Sequence, residues 1–380
     1  MTDDHSPSAV ILAAGYASRM GRFKPLLELG GRTALDRVVS LYRSLGVADI
    51  HVVTGFRADD IRAALGQAPV RIVHNPDHDS GMFSSVLAGV GDLPDACPAF
   101  FVHPVDIPLV RPYTVKRLLA ALTETPAAVI YPCVGDERGH PPLIHGSLKP
   151  AILAHDGRGG LKTVLDRFTA EARDVPLADE GALLDMDTPT DFDRLTERAA
   201  MAEILTDREC DLLMTTVCRL PQAIDDHCRQ VARIAGRLGD AVLAAGGRLD
   251  VARIRCAARI HDLARLEKDH AAAGARFLRQ MGFADLAKIV AGHMDLAVDP
   301  KAPLDEAQVV FLADKLVAGT TIVDLSRRFD AKLDKYGQSA TAVANILRRK
   351  QAAQAVETKI TRITGVAMDR MLSDALIERP

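Results

Sequence analysis

The chain has no C-x-x-C pair among its six cysteines, no surplus of positive charge and no apolar run in its opening residues Met1-Thr2-Asp3-Asp4-His5. Each absence removes a class of function. Cys97, Cys133, Cys210, Cys218, Cys228 and Cys256 are scattered, so neither a zinc knuckle nor a disulfide framework is indicated and reduced thiols are expected. A formal net charge of −3 argues against a nucleic-acid polymer as partner, because gripping a phosphate backbone needs excess Lys and Arg. The opening Met1-Thr2-Asp3-Asp4-His5 lacks the basic start and apolar core of a secretory signal, so a cytoplasmic protein without a membrane partner is expected.

What remains is a globular balance, 48% hydrophobic and 26% charged, over 380 residues. That length suits two domains, since single cores seldom grow past about 250 residues. From residue 9 to about 195, short apolar runs alternate with amphipathic stretches, as a mostly parallel sheet covered by helices requires. Candidate strands are Ala9–Ala14, Ile50–Thr54, Val70–His74, Phe100–Val105 and Ala128–Tyr131. Thr33–Gly46 carries Leu35, Val38, Val39, Tyr42 and Leu45 at helical spacing, and Gly46 offers a stop. A doubly wound, Rossmann-like α/β domain is predicted, with ligands at the carboxyl ends of its strands.

The loop that follows the first strand, Ala13-Ala14-Gly15 through Arg19, Gly21 and Lys24, is built to hold a polyphosphate. Gly15 and Gly21 let backbone N–H groups approach phosphate oxygens, while Arg19 and Lys24 supply positive charge. The spacing is neither that of a P-loop nor G-x-G-x-x-G, which excludes the ATPase and dinucleotide readings. The run Leu12-Ala13-Ala14-Gly15, continuing through Ser18-Arg19-Met20-Gly21 to Lys24-Pro25-Leu26-Leu27, resembles the signature loop of the nucleotidyltransferases that finish the molybdenum cofactor. The second alanine is similar to the cytidylyltransferase branch rather than the guanylyltransferase one, which usually has L-A-G-G. The resemblance implies CTP and molybdopterin as substrates, Mg²⁺ as cofactor and a molybdenum hydroxylase apoenzyme as candidate recipient. Two alternatives stay open: a sugar- or alditol-phosphate acceptor, and a non-catalytic molybdopterin carrier with a regulatory second domain.

Three further elements fall at strand ends or in late loops. Gly81-Met82-Phe83-Ser84-Ser85 reads as a turn into a helix; the resemblance assigns it to the substrate pocket, and Ser84 or Ser85 reads equally as a helix cap. The strand Phe101-Val102-His103-Pro104-Val105 delivers Asp106 to its tip, where a carboxylate can hold Mg²⁺ beside phosphate oxygens or can merely start a turn before Pro108. The family often has Gln where Ile107 stands. Asp185-Met186-Asp187-Thr188-Pro189 resembles the family's D-x-D-T-P element, which makes Asp185 and Asp187 further candidate metal ligands, although Thr188 before Pro189 also reads as a helix start. Arg138-Gly139-His140-Pro141 matches the family's R-G-H-P loop, implying a substrate-side wall.

Near residue 200 the chain changes character: strands disappear and helical patterns run to the end. The expected division is residues 1–198 and 205–380. His227, His261, His270 and His293, four of the twelve histidines, lie beyond it. His261 falls on the apolar face of Ile254, Ala257 and Ala258, and Asp314 on that of Val310, Phe311 and Val317. Buried together, these groups need partners, and metal coordination supplies them at once. The series His227, His261-Asp262, Asp314 resembles the HD phosphohydrolase superfamily, and His270 with His293 is similar to its binuclear subgroup, in which Asp262 would bridge two metals. One or two divalent transition metals are implied, with Fe, Mn and Zn all suited to imidazole and carboxylate ligands. Arg265 stands where the subgroup usually has Lys, keeping charge but changing geometry.

Overall fold

In a computed structural model, residues 6–16 and 20–373 are described. The chain divides between Ala202 and Glu203 into two compact units.

The first unit is a twisted sheet of seven main strands: β1 (Ser8–Leu12), β2 (Ile50–Thr54), β3 (Arg71–His74), β4 (Ala99–Pro104), β5 (Val129–Val134), β6 (Leu143–His145) and β7 (Ala172–Pro176). They lie in the order β7-β5-β6-β4-β1-β2-β3, and a short strand, Glu137–Arg138, adds to β5. All neighbours in this order are parallel except β6, which runs antiparallel to both β4 and β5. The α/β expectation therefore holds, with one reversed strand that the sequence did not announce. β1, β2 and β4 are buried along their whole length, as strands covered on both faces must be, so their residues read as largely apolar runs.

Helix α1 (Ala34–Ser44) starts where Thr33 accepts a hydrogen bond from the Asp36 amide, and it buries Leu35, Val38, Val39 and Tyr42 against the sheet. Helices α2 (Ala58–Leu65), α3 (Met82–Asp92) and α4 (Pro112–Glu124) complete the layers. The unit closes with α5 (Pro189–Ala200), where Thr188 and Asp191 satisfy each other's backbone N–H groups in a capping box. α3 packs so closely on the sheet that a Cβ at Gly89 would come within 2.4 Å of Val10 Cγ1. Chain order reverses between β1 and β4, because β1 leads outward through β2 and β3 before the chain returns to β4. Such a switch point opens a crevice at the strands' carboxyl ends.

The second unit is helical, with one two-stranded hairpin between Val317 and Ile322. Its helices are α6 (Asp207–Leu212), α7 (Gln222–Ala244), α8 (Val251–Ile260), α9 (His270–Met281), α10 (Ala284–Gly292), α11 (Glu306–Lys315), α12 (Leu325–Tyr336), α13 (Ala340–Thr364) and α14 (Met368–Ser373). α11 lies at the centre, and Val309, Val310, Phe311, Leu312 and Ala313 are all fully buried.

Candidate functional sites

The crevice of the first unit holds a cavity of about 360 Å³ lined by Ala13, Ala14, Gly15, Lys24, Gly81, Ser85, Asp106 and Asp187. Lys24 lies at its centre. Its ammonium donates to Asp187 Oδ1 at 2.6 Å and to Asp106 Oδ2 at 3.1 Å, joining the loop after β1, the tip of β4 and the start of α5. Burial works against the lysine charge, yet the hydrogen bonds and charges of Asp187 and Asp106 hold its pKa above the ordinary value. Asp185 lies beside this pair, and partial burial followed by the Asp187 and Asp106 charges raises its carboxyl. Asp106 and Asp187 facing one ammonium leave net negative charge on hard oxygen donors, a pair that suits Mg²⁺, while Asp185 does not line the cavity. Arg19 lies outside the described residues.

Asp106 is held in place by a residue to which sequence reasoning gave no role. His103, fully buried on β4, bonds through Nε2 to the Ile107 carbonyl at 2.9 Å and through Nδ1 to the Tyr42 hydroxyl at 2.9 Å. A carbonyl only accepts, so Nε2 carries the proton and Nδ1 accepts from tyrosine. The pair ties the turn that presents Asp106 to α1. Burial pushes the His103 pKa down to about 4, so the ring stays neutral.

Neither serine of the Gly81 element caps α3, whose N-cap is Gly81 itself at φ +97°. The Ser84 and Ser85 hydroxyls accept from Asn75 Nδ2 at 2.8 and 3.0 Å, and only Ser85 faces the cavity. Tyr16 is a further rim residue, 51% exposed, its ring 4.4 Å from that of Phe56. A second, mostly apolar cavity of about 450 Å³ shares Leu12, Met82 and Pro104 with the first. Arg138, Gly139 and His140 form part of its wall, alongside Tyr131.

In the helical unit six side chains converge from five helices or helix ends. His227 stands on α7 and Asp314 near the end of α11, while His261 and His293 immediately follow α8 and α10 and His270 begins α9. His227, His261 and Asp314 form one tight group, and Asp262, His270 and His293 another. The Asp262 carboxylate faces both: Oδ2 is 3.7 Å from His261 Nε2, while Oδ1 is 3.2 and 3.3 Å from the Nε2 atoms of His270 and His293. His227 and His261 place Nε2 at 3.3 and 3.8 Å from Asp314 Oδ1.

The orientation of the rings tests whether a cation fits. His227, His261 and His293 bond through Nδ1 to the carbonyls of Gly319, Ala258 and Val290 at 2.8, 2.8 and 2.7 Å. Each Nδ1 must donate, so in the neutral ring each Nε2 lone pair points at carboxylate oxygens, the arrangement of a metal-bound imidazole. His261 Nε2 and Asp262 Oδ1 are buried with no hydrogen-bond partner. Burial lowers the His261 pKa to about 4, so it does not become the missing cation itself. His227 is different: Asp314 and the Gly319 carbonyl outweigh burial and raise its pKa. Burial works against charge on Asp262 and Asp314, but the histidines around Asp262, and Lys315 and His227 beside Asp314, keep both well below the usual carboxylate range. The donor set fits one or two divalent transition metals.

Two neighbours of this cluster were not anticipated. Lys315 donates to the His293 carbonyl at 2.8 Å and to Asp314 Oδ2 at 2.5 Å, orienting a candidate ligand from each group. Cys228 is also close to His261 and Asp262, but burial keeps its thiol protonated. All six cysteines are free.

Residues 9–174 match the MobA-like NTP transferase domain and residues 224–319 the HD domain. The protein is thus a nucleotidyltransferase of mixed α/β fold, followed in sequence by a helical HD domain. The chain belongs to the MobA-like NTP transferase family. It is 31% identical over 207 residues to the nicotine blue oxidoreductase of Paenarthrobacter nicotinovorans, covering 51% of this chain and 98% of that one. Against the molybdenum cofactor cytidylyltransferase of Escherichia coli strain K12 it is 28% identical over 193 residues, covering 50% and 95%. It is also 40% identical over 128 residues to the bifunctional IPC transferase and DIPP synthase of Rubrobacter xylanophilus, but that match spans 32% of this chain and only 28% of the relative. Among the described residues no helix is long and apolar enough to cross a membrane.

Proposed function

We propose that the first unit transfers CMP from CTP to the terminal phosphate of molybdopterin, making the cytosine dinucleotide and pyrophosphate in the cytoplasm. The observation that carries this reading is the Lys24 bridge between Asp106 and Asp187 beside the Ala13-Ala14-Gly15 loop. An acceptor phosphate oxygen bonds to the α-phosphorus of CTP, and the bond to the β-phosphate breaks, its electron pair leaving with pyrophosphate. Little covalent chemistry is asked of the protein, so positioning and charge neutralisation dominate. Lys24, with Arg19 from the same loop, offsets phosphate charge. Gly15 and Gly81 let backbone amides approach, since a side chain on either would stand nearest the phosphates. Asp106, with Asp187 and Asp185, would hold Mg²⁺, which would offset phosphate charge when bound. The two adjoining cavities suit a nucleotide in one and a bulky acceptor in the other. A molybdenum hydroxylase apoenzyme is the proposed recipient of the product.

The nicotine blue oxidoreductase relative spans the same domain, but the phosphate-directed lysine and carboxylates favour transfer. For the second unit we propose metal-dependent phosphoester hydrolysis, with His227, His261 and Asp314 holding one ion, His270 and His293 the other, and Asp262 between them. Such a pair of ions activates water and clamps a phosphate. Asp106→Ala tests the transferase reading: pyrophosphate release should disappear while the chain keeps its far-ultraviolet circular dichroism. A folded variant with full activity would remove Asp106 from the mechanism.

A further inference from the structure

The charge around the helical cluster exceeds what a simple phosphate ester needs. The cavity over His227, Asp262, His293 and Asp314 measures about 310 Å³, and five cationic side chains line it: Arg265, Lys315, Arg328, Lys332 and Arg349. The lining carboxylates are Asp262 and Asp314 alone, and metal ions held there would claim their charge first. The five cations come from four places in the chain, the segment after α8, the end of α11, and helices α12 and α13, so they converge by folding and not by sequence clustering.

Their pairing inside the protein is incomplete. Lys315 is tied to Asp314, and Arg349 reaches only the edge of Asp295 at 3.5 Å. Arg328 donates to the Val317 carbonyl and stands 4.0 Å from Asp314 Oδ1, and Arg265 places Nη1 3.1 Å from His270 Nε2 and Nε 3.7 Å from Asp262 Oδ2. Lys332 lies 5.7 Å from the Phe329 ring centre and, among the described residues, forms no ion pair. The Nε atoms of Arg328 and Arg349 are buried without a hydrogen-bond partner. Burial, and then the charges of Arg328 and Lys315 against that of Asp314, pull the Lys332 pKa down to about 8. Holding like charges together in a partly buried cavity is costly unless a ligand brings the opposite charge.

We propose that this site takes a chain of two or three linked phosphates, inorganic or carried by a nucleoside, and cleaves its anhydride bond. The proposal rests on reading the helical unit as a phosphohydrolase. A monoester dianion would engage the metal cluster and leave most of the five cations unused, whereas a phosphate chain extends its charge over the cavity toward Lys332 and Arg349. In the reaction the oxygen of water bonds to the terminal phosphorus, the bridging P–O bond breaks, and its electron pair stays on the departing phosphate. Water's two protons end one on each product. Pyrophosphate, the by-product proposed for the other unit, belongs to this class.

The test uses the full chain in two arms. In the first, calorimetry on the metal-loaded full chain compares tripolyphosphate with orthophosphate, for the parent and for Lys332→Ala and Arg349→Ala. Tripolyphosphate should bind more tightly than orthophosphate, and each variant should weaken it by roughly tenfold or more, the scale of one lost charge-assisted hydrogen bond, while keeping the parent's metal content. In the second, Mn²⁺-loaded Asp106→Ala protein, in which transfer is silenced, is given p-nitrophenyl phosphate, pyrophosphate, tripolyphosphate and CTP, and phosphate release is measured. Faster turnover of an anhydride than of the monoester is expected, and the preferred anhydride identifies the source. Equal binding of the two anions, variants without effect, or preferred monoester hydrolysis would overturn the proposal. Tight tripolyphosphate binding with no turnover of any compound would overturn the hydrolytic step and the phosphohydrolase reading together, leaving only the anion specificity.

Discussion

Asp262→Asn should empty the helical site of metal. The substitution keeps the size of the side chain and removes the one charge that faces both ligand groups, Oδ2 toward His261 and Oδ1 toward His270 and His293. Loss of an outer-shell partner already lowers metal affinity 10–100-fold in known sites, so loss of a shared ligand should cost more than about 100-fold. At metal concentrations about 100 times the dissociation constant, that removes on the order of 2.7 kcal/mol of linked stability per ion. Elemental analysis after gel filtration should find about two ions per parent chain, as in paired phosphatase-type sites, and close to none in the variant. Added Mn²⁺ should raise the unfolding temperature of the parent and leave the variant unmoved. Pyrophosphate release by the first unit should be unaffected, because the two sites share no residue. A variant that keeps two ions would refute the bridging assignment, and a parent that binds none after metal-supplemented expression would remove the hydrolase reading.

Two predictions concern the first unit. Residues 1–202 expressed alone should fold and keep nucleotidyl transfer, since every candidate transferase residue precedes the division after Ala202; a folded but inactive fragment would show that the helical half completes the site. That fragment should also lose stability as pH falls from about 6.5, the ordinary histidine value, toward about 4, because unfolded His103 takes up a proton that the buried ring refuses. The loss through this window is on the order of 3 kcal/mol, present in full above it, and His103→Gln should flatten this part of the denaturation midpoint's pH dependence; an unchanged slope would contradict it.

The parts of the fold legible in the sequence were those with strong physical signatures. β1, β2 and β4 are buried on both faces and read as largely apolar runs, interrupted by Ser8, His51, Thr54 and His103. β7 was missed because it closes one edge of the sheet with Arg173 and Asp174 in its middle, and β6 because three residues carry no period. The first expected strand, Ala9–Ala14, stops at Leu12, and its last residues instead line the cavity. In the helical unit the ligands were readable because imidazole and carboxylate on apolar faces demand partners, although His261 and His293 stand just past helix ends. The Lys24 bridge was not readable: its partners lie 82 and 163 residues away, and no local pattern encodes contacts made through three separate elements. The same holds for Lys315, Arg328, Lys332 and Arg349, which no local pattern singles out and which α11, α12 and α13 bring to one cavity with Arg265.

The most direct test of the central claim is pyrophosphate release by the purified full chain carrying Asp262→Asn, so that the helical site consumes neither CTP nor pyrophosphate, with Mg²⁺ and molybdopterin, comparing CTP with GTP, and with a sugar phosphate replacing molybdopterin in a parallel reaction. CTP should be consumed in preference to GTP, and only when molybdopterin and Mg²⁺ are both present. Equal use of GTP would contradict the reading of Ala13-Ala14-Gly15 as the cytidylyl form of the loop, and release that needs the sugar phosphate would assign the acceptor cavity to a different substrate.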